Sequence, residues 1–358
     1  MDSQELKILL RLPNWLGDAV MISPAFELLK AHFKSAKFYI IGTEASCGIY
    51  SRDLRVEKVF IDSTKKGENG RKNNLKDRFV ATKKFAHKIR ESILQNADSA
   101  GEIDIALDFT NHFFSTFLLY LTGAKIRVGY AKNMRSFLLN KRVRFIKNIH
   151  QVASYMNLVN EICGKKIIKK MDLNLRESLL KSAPLKLQNR VIKGFKNDDL
   201  LCIGINPGAA YGSAKRWEER YFVEIILHFL KNDCAVFVFG NDSLNLPESI
   251  TQNPRFHNLI GQTTITELVD YIAQMDIFIS NDSGPMHIAA AFRVPLIAIF
   301  GATDSRETSP WVDNAVILDK HLPCAPCKKR ECPLEHHNCM KLITPDEVIE
   351  RVNGILET

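Results

Sequence analysis

Short runs of consecutive apolar residues alternate along the chain with longer stretches in which apolar residues recur every three or four positions. The short runs are typical of strands buried on both faces of a parallel sheet, and the longer pattern is typical of helices. The predicted strands are 6–12, 37–41, 59–61, 103–107, 125–128, 143–146, 200–205, 235–239, 258–260, 276–280, 295–300 and 316–318. The predicted helices are 19–33, 78–94, 113–121, 152–163, 218–231, 265–274 and 345–356.

This alternation predicts an α/β protein with two doubly wound, Rossmann-like domains. The pattern restarts after a charged, weakly periodic stretch at 173–199, and 358 residues are enough for two separate cores. The predicted domains are 1–175 and 176–343, followed by a C-terminal helix at 344–358. Because ligands bind at the carboxyl ends of strands in open α/β sheets, we expect both sets of strand ends to line one cleft.

The composition is that of a globular protein and not of a membrane-spanning one. Hydrophobic residues make up 46% and charged residues 25% of the chain, which is ordinary for a globular protein, and no apolar run reaches transmembrane length. The first residues lack the basic start and the cleavage site of a signal peptide, so we expect a cytoplasmic protein.

Positive charge is concentrated in the first half of the chain. Residues 1–180 contain 31 Lys and Arg against 18 Asp and Glu, whereas the remainder contains 18 against 22. The asymmetry indicates that the first domain meets an anion, such as nucleic acid, an acidic membrane surface or a phosphorylated acceptor. Charge alone is equally compatible with lysines on solvated faces.

The stretch 277–287 (Ile-Phe-Ile-Ser-Asn-Asp-Ser-Gly-Pro-Met-His) predicts a buried strand, a tight turn and the start of a helix. Ser283 and Pro285 suit the first positions of a helix, and Gly284 lets the backbone approach a ligand. Such a helix N-terminus favours phosphate. Asp282 would repel phosphate, so we expect it to bond a hydroxyl group or to orient a neighbouring side chain. The simpler interpretation is that the turn only caps the helix.

A second glycine-containing turn follows the predicted strand 200–205. It begins with Asn206-Pro207-Gly208 and leads to Lys215, whose ammonium group is suited to neutralising a diphosphate. The turn has one residue too few between its glycines for a P-loop, and neither half carries the Gly-x-Gly-x-x-Gly fingerprint of nicotinamide or flavin enzymes. A solvated loop lysine is the alternative interpretation of Lys215.

Asp18 follows the first predicted strand, directly after Gly17 and at the start of a helix. A carboxylate facing the cleft at this position could accept a proton from an attacking hydroxyl group. The alternative role is compensation of the helix dipole, for which only the negative charge matters.

Four cysteines are clustered near the C-terminus, at Cys324, Cys327, Cys332 and Cys339, with histidines close by in the sequence. Thiolates and imidazoles are ligands of zinc and of iron–sulfur clusters. The spacing lacks the paired Cys-x2-Cys knuckles of a zinc ribbon, so no metal site is assigned and a compact cysteine-rich loop remains the alternative.

Several motifs together resemble the ADP-heptose:lipopolysaccharide heptosyltransferases of glycosyltransferase family 9. They occur in the family's order over nearly the whole chain, at 16–20 with 23–24, 207–209, 215–217, 281–287 with 289–291, and 301–304. The cysteine-rich tail at 323–339 is similar to that of heptosyltransferase II. The weakest part of the match is the basic insert at 62–78.

The resemblance implies a GT-B fold of two facing Rossmann-like domains, with acceptor binding in the first and donor binding in the second. It implies inverting, metal-independent transfer of L-glycero-D-manno-heptose from ADP-heptose, without a cofactor. The implied acceptor is the first heptose of the lipopolysaccharide or lipooligosaccharide inner core, carried on Kdo and lipid A. The implied location is the cytoplasm, with peripheral contact to the inner membrane and no nucleic-acid partner.

The resemblance also implies roles for individual residues. Asp18 is the expected general base. The expected donor-binding residues are Asn206, Gly208, Lys215, Asp282, Ser283, Gly284 and His287. Two other functions remain open at this point: a GT-B transferase of another nucleotide sugar, and a non-catalytic protein that binds a nucleotide or a metal.

Overall fold

The computed structural model describes residues 5–66, 71–94, 102–192 and 200–357. The chain divides into two compact units, Met1–Met171 and Asp172–Thr358. Each unit contains one sheet of six parallel strands.

The first unit begins with a buried strand and alternates strands with helices. Its strands are β1 (Lys7–Arg11), β2 (Lys37–Gly42), β3 (Val56–Ile61), β4 (Ile105–Asp108), β5 (Ile126–Tyr130) and β6 (Lys141–Val143). Its helices are α1 (Leu16–Met21), α2 (Ser23–His32), α3 (Glu44–Gly48), α4 (Leu75–Leu94), α5 (Phe113–Leu121) and α6 (Gln151–Ile162). A 3₁₀ turn at Ser136–Leu138 precedes β6.

The second unit repeats this alternation. Its strands are β7 (Cys202–Asn206), β8 (Ala235–Val238), β9 (Phe256–Asn258), β10 (Ile277–Asn281), β11 (Leu296–Phe300) and β12 (Ala315–Asp319). Its helices are α7 (Leu173–Ser182), α8 (Glu219–Lys231), α9 (Glu248–Thr251), α10 (Ile265–Ile272), α11 (Gly284–Ala291), α12 (Ser305–Thr308), α13 (Asn338–Lys341) and α14 (Pro345–Leu356). A 3₁₀ turn at Ser213–Lys215 lies between β7 and α8.

Both sheets have the same strand order. It is β3-β2-β1-β4-β5-β6 in the first unit and β9-β8-β7-β10-β11-β12 in the second. This is the doubly wound order, in which the connections run in opposite directions from the two central strands. The prediction of an α/β protein with Rossmann-like domains is therefore confirmed, and each sheet has a crevice at its central strand pair.

The central strands are buried because helices cover both faces of each sheet. Every residue of β7, β10 and β11 is buried, and Ile205, Ile279 and Ile299 contribute to one apolar core cluster of the second unit. The closing helix α14 places Val348 and Val352 in the same cluster. Burial on both faces explains why these strands are nearly continuous apolar runs in the sequence.

The structure corrects two of the predicted elements. The helix predicted over 19–33 is two helices, α1 and α2, which meet at Ile22 and Ser23. Pro24 lies in the first turn of α2, a position where its missing N–H costs nothing. The stretch predicted as a link at 173–199 contains α7, and its part at 193–199 lies outside the described residues.

In the described part of the chain, the apolar helices are all too short and the long helices too polar to cross a membrane.

Candidate active site

Two buried asparagines end the central strands of the second unit and join the turns that follow them. Asn281, at the end of β10, donates from Nδ2 to the carbonyl oxygen of Pro207 over 2.6 Å. Asn206, at the end of β7, donates from Nδ2 to the carbonyl oxygen of Gly208 and to Oγ of Ser283, each over 3.0 Å. The β7 turn and the β10 turn are thereby held side by side at the crevice.

Helix α11 begins at this crevice. Ser283 occupies its N-cap position but makes no side-chain cap bond within the described part of the chain. Its hydroxyl group lies 2.9 Å from Oγ of Ser280 instead. The interpretation of this turn as a simple helix cap is therefore wrong. The first N–H groups of α11, with the positive end of the helix dipole, are suited to an anion.

Asp282 holds the lysine that the sequence singled out. Lys215 Nζ lies 2.5 Å from Asp282 Oδ2, and Thr303 donates its hydroxyl proton to the same carboxylate oxygen. The Asp282 side chain is 6% exposed and that of Lys215 is 14% exposed. The expectation that Asp282 orients a neighbouring group is confirmed, and Thr303 is a third member of the group.

Lys215 is positioned by its surroundings as well as by Asp282. It ends the 3₁₀ turn at Ser213–Lys215, and its Nζ lies 5.0 Å from the centroid of the Tyr211 ring. Arg330 approaches the same ring at 5.5 Å. The interpretation of Lys215 as a solvated loop lysine is therefore wrong, because its ammonium group is held in place beside the crevice.

His287 lies one helical turn into α11 and is 3% exposed. Its Nδ1 has no hydrogen-bond partner among the described residues. Burial lowers the pKa of His287 to about 4, with a smaller lowering by the charge of Lys215 and a partial offset by Asp282. The imidazole is therefore neutral at neutral pH.

We expect His287 to make the protein less stable in acid. Because its folded-state pKa of about 4 lies below the ordinary value of 6.5, the unfolded chain takes up a proton first as the pH falls. The free energy of unfolding should be unaffected by His287 above about pH 6.5. It should fall by roughly 3 kcal/mol as the pH is lowered through 4. Denaturant unfolding of the wild type and of His287→Gln across this range measures it, and the variant should show the shallower dependence. Parallel curves would contradict this expectation.

In the first unit, Asp18 lies in the first turn of α1 and is partly exposed. The Tyr155 hydroxyl group, on α6, donates to Asp18 Oδ1 over 2.8 Å. Burial, and then the negative charge of Asp18, raise the pKa of Tyr155 well above its ordinary value of 10.0. Tyr155 is therefore a permanent hydrogen-bond donor that fixes the orientation of the Asp18 carboxylate.

Two buried arginines form ion pairs in the first unit, each pair including one residue at the end of a central strand. Arg11 Nη2, at the end of β1, lies 2.8 Å from Asp62 Oδ2. Arg135 pairs with Asp108 at the end of β4, and both side chains are fully buried. Sequence reasoning missed both pairs, because their partners are 51 and 27 residues away along the chain.

Comparison with known proteins assigns the family. A model of glycosyltransferase family 9 (heptosyltransferase) matches residues 94–338. A lipooligosaccharide heptosyltransferase 2 from Campylobacter jejuni is 34% identical over 360 residues, covering 98% of this chain and 99% of that protein. The chain belongs to glycosyltransferase family 9. The resemblance inferred from the sequence motifs is confirmed.

Solved structures agree with this family 9 fold. The Escherichia coli ADP-heptose lipopolysaccharide heptosyltransferase II has a TM-score of 0.72 and 23% identity, with 98% of each chain covered. An E. coli heptosyltransferase with ADP-2-deoxy-2-fluoro heptose has a TM-score of 0.68 and 17% identity, covering 98% of this chain and 99% of that one. The predicted GT-B fold class is thereby confirmed.

The second unit of this glycosyltransferase brings the predicted donor-binding residues to one crevice. They are Asn206, Gly208, Lys215, Asp282, Ser283, Gly284 and His287. A Cβ atom at Gly208 would lie 3.0 Å from Asp242 Oδ2, so a larger residue there would require the Asp242 side chain to shift. The predicted base, Asp18, belongs to the other unit.

The segment 321–339 (the cysteine segment) supports the turn that carries Lys215. The carbonyl oxygen of Arg330 accepts from Ala214 N over 3.0 Å, and Lys328 N donates to the carbonyl oxygen of Ala302 over 2.7 Å. A Cβ atom on Gly212 would lie 2.3 Å from the Arg330 carbonyl oxygen, so only glycine permits this approach. The cysteine segment therefore braces both the Lys215 turn and the loop that leads to Thr303.

The cysteines of this segment are free thiols. Among the described residues, no group of three or more Cys, His, Asp or Glu side chains is arranged to hold a metal ion. Burial chiefly, and then the neighbouring Cys332, raise the pKa of Cys339 to about 11. Cys324, Cys327 and Cys332 all contribute to raising this pKa, so the four thiols of the segment lie near one another.

Proposed function

We propose that this enzyme transfers L-glycero-D-manno-heptose from ADP-heptose to the first heptose of the lipopolysaccharide or lipooligosaccharide inner core. The observation that carries the proposal is the Lys215–Asp282–Thr303 group beside the uncapped N-terminus of α11. The names of the relatives, heptosyltransferase 2 in Campylobacter jejuni and heptosyltransferase II in E. coli, support the choice of donor and acceptor.

The proposed role of the second unit is to bind the donor and stabilise its leaving group. As the bond to heptose breaks, negative charge develops on the ADP diphosphate. The ammonium group of Lys215 and the N–H groups of α11 are fixed donors that can stabilise this charge without reorganising. We propose that these groups make transfer independent of a metal ion. The neutral imidazole of His287 offers a further hydrogen bond to the donor.

The proposed role of Asp18 is that of the general base. The acceptor hydroxyl group attacks the anomeric carbon of the donor heptose, its proton passes to the Asp18 carboxylate, and ADP departs from the opposite side. One in-line displacement inverts the configuration at that carbon. Tyr155 supports this role because its hydroxyl group donates to Asp18 Oδ1 and so fixes the orientation of the carboxylate.

The proposed acceptor is an anionic glycolipid, and positive charge in the first unit supports it. Burial, and then the positive charge of Arg78, lower the pKa of Lys65, while burial and then Lys65 lower the pKa of His112. Cationic groups therefore lie close enough to repel one another, which an anionic ligand would relieve. We propose that the protein acts in the cytoplasm, in peripheral contact with the inner membrane.

The test is transfer by the purified protein between defined molecules. We expect ADP release and one added heptose when ADP-heptose is supplied with a Kdo-lipid A acceptor that carries one heptose. The matched acceptor without that heptose should gain none. Transfer from another nucleotide sugar, with none from ADP-heptose, would instead assign a different GT-B transferase.

A further inference from the structure

Five phenylalanines of the first unit form a cluster of contacting rings. Ring centroids lie 4.9 Å apart between Phe79 and Phe114, 5.3 Å between Phe79 and Phe117, and 6.4 Å between Phe113 and Phe137. The rings come from α4, from α5 and from the 3₁₀ turn before β6. We call this cluster, with the exposed side chains of Leu75, Val80 and Met134 on the same elements, the aromatic patch.

One ring of the aromatic patch, Phe137, is exposed, and the other four rings are half-buried. Phe137 is 69% exposed and Met134, three residues earlier in the same loop, is 90% exposed. Leu75 is 67% and Val80 51% exposed at the start of α4. Single exposed apolar residues are normal, but a contiguous group of large ones marks a surface that binds another body.

Cations of α4 flank the aromatic patch. Helix α4 carries six Lys and Arg residues against two acidic ones. Lys76 and Lys83 lie three residues before and four residues after Phe79, so they are on the same side of the helix, and both are exposed. The guanidinium group of Arg78 lies 3.9 Å from the centroid of the Phe114 ring.

We propose that the aromatic patch is the surface by which this enzyme docks on an anionic lipid bilayer. A bilayer presents negative charge at its surface with apolar chains beneath, which matches the exposed apolar side chains of the patch and the exposed lysines of α4. Aromatic rings settle at the headgroup level, and each lysine adds attraction to the anionic lipids. A second protein chain would need apolar complementarity and would gain little from the excess of positive charge on α4.

This inference rests on the proposed function, because docking on a membrane is useful to the enzyme only if its acceptor is carried on a lipid. Docking confines the enzyme to the plane that contains the acceptor and so raises the rate of encounter. The sugar-nucleotide chemistry of the second unit takes no part in it. Vesicle binding can therefore be measured without donor or acceptor, and its result is independent of the outcome of the transfer assay.

The test is sedimentation of the full-length protein with vesicles. We expect binding to vesicles of phosphatidylethanolamine and phosphatidylglycerol, and little binding to phosphatidylcholine. Met134→Ser with Phe137→Ser, both highly exposed, should weaken binding by about tenfold or more. Lys76→Gln with Lys83→Gln should weaken it by roughly 25-fold at low salt, since each lysine near the surface contributes about fivefold.

A matched control removes one exposed leucine and one lysine from the other unit. Leu173 is 78% exposed in α7 and Lys231 is exposed at the end of α8. Leu173→Ser with Lys231→Gln should bind vesicles as the wild type does. Wild-type binding by the patch variants would overturn the proposal. Dimer formation through the patch would also overturn the proposal. In that case Met134→Ser with Phe137→Ser would convert a dimer into a monomer and leave vesicle binding unchanged.

A second measurement separates docking from misfolding. On a water-soluble acceptor stripped of its acyl chains, the patch variants should keep the wild-type kcat/KM. On the same acceptor embedded in anionic vesicles, they should lose activity in parallel with vesicle binding. Equal losses on both acceptors would overturn the docking role.

Discussion

Replacement of Asp18 by asparagine is expected to lower kcat for heptose transfer by about 100- to 10,000-fold, the usual contribution of a general base. The amide keeps the shape of the side chain and can still accept from Tyr155, but it cannot take the acceptor proton. The affinity for ADP-heptose should be unchanged, because the proposed donor site lies in the second unit. Steady-state kinetics together with calorimetric titration of the donor measure both quantities.

The matched control for Asp18→Asn is Tyr155→Phe, which deletes only the hydroxyl group 2.8 Å from the carboxylate. If Tyr155 is a positioning residue, its loss should lower kcat less and should move the pH profile of kcat/KM, because the Asp18 carboxylate loses a hydrogen bond that stabilises its charge. Normal turnover by Asp18→Asn would mean that the base has been assigned to the wrong residue.

Replacement of Lys215 by methionine is expected to lower kcat/KM by roughly 100- to 1,000-fold, the loss typical of one fixed donor to a developing charge. Methionine keeps most of the apolar stem and removes the ammonium group. The adjacent Arg216→Met is the control, since Arg216 is exposed and pairs with Asp242 over 3.0 Å on the surface. It should remain near wild-type activity.

The Lys215–Asp282 pair also predicts that the effects of the two residues are not additive. Asp282→Asn alone should lower kcat/KM, because Lys215 loses the carboxylate that lies 2.5 Å from its Nζ. Asp282→Asn should lower kcat/KM much less in the Lys215→Met variant than in the wild type, since the two groups act together. Fully additive losses would contradict the role assigned to Asp282.

The crevice could be located from the sequence because its signals are local. The strand at β10 is a buried apolar run that ends in polar turn residues, and Pro285 marks the helix that follows. The closing helix was predicted with its observed ends, Pro345 and Leu356, because Thr344 precedes Pro345 as an N-cap and the apolar spacing is regular.

The contacts within the crevice could not be predicted from local signals. Lys215 and Asp282 are 67 residues apart, and they meet only because β7 and β10 are neighbours at the centre of the sheet. Thr303 joins them from the loop after β11. Side-chain pairing of this kind depends on strand order, which apolar periodicity does not encode.

The cysteine segment shows a different limit. The sequence indicated metal binding by its thiols, because thiolates are metal ligands. In the structure, the segment supports the site through hydrogen bonds of its main-chain atoms. The carbonyl oxygen of Arg330 and the N–H of Lys328 hold the two loops around Lys215 and Thr303. Almost every residue type has these atoms, and only proline lacks the N–H, so the one signal in the sequence is Gly212, which leaves room for the contact.

The most direct measurement of the central claim is the structure of the acceptor after incubation of the wild-type protein with ADP-heptose in the presence of a metal chelator. Mass spectrometry and nuclear magnetic resonance of the product should show one additional heptose on the first core heptose, with the anomeric configuration inverted relative to the donor. An acceptor without added heptose, or a product with retained configuration, would contradict it.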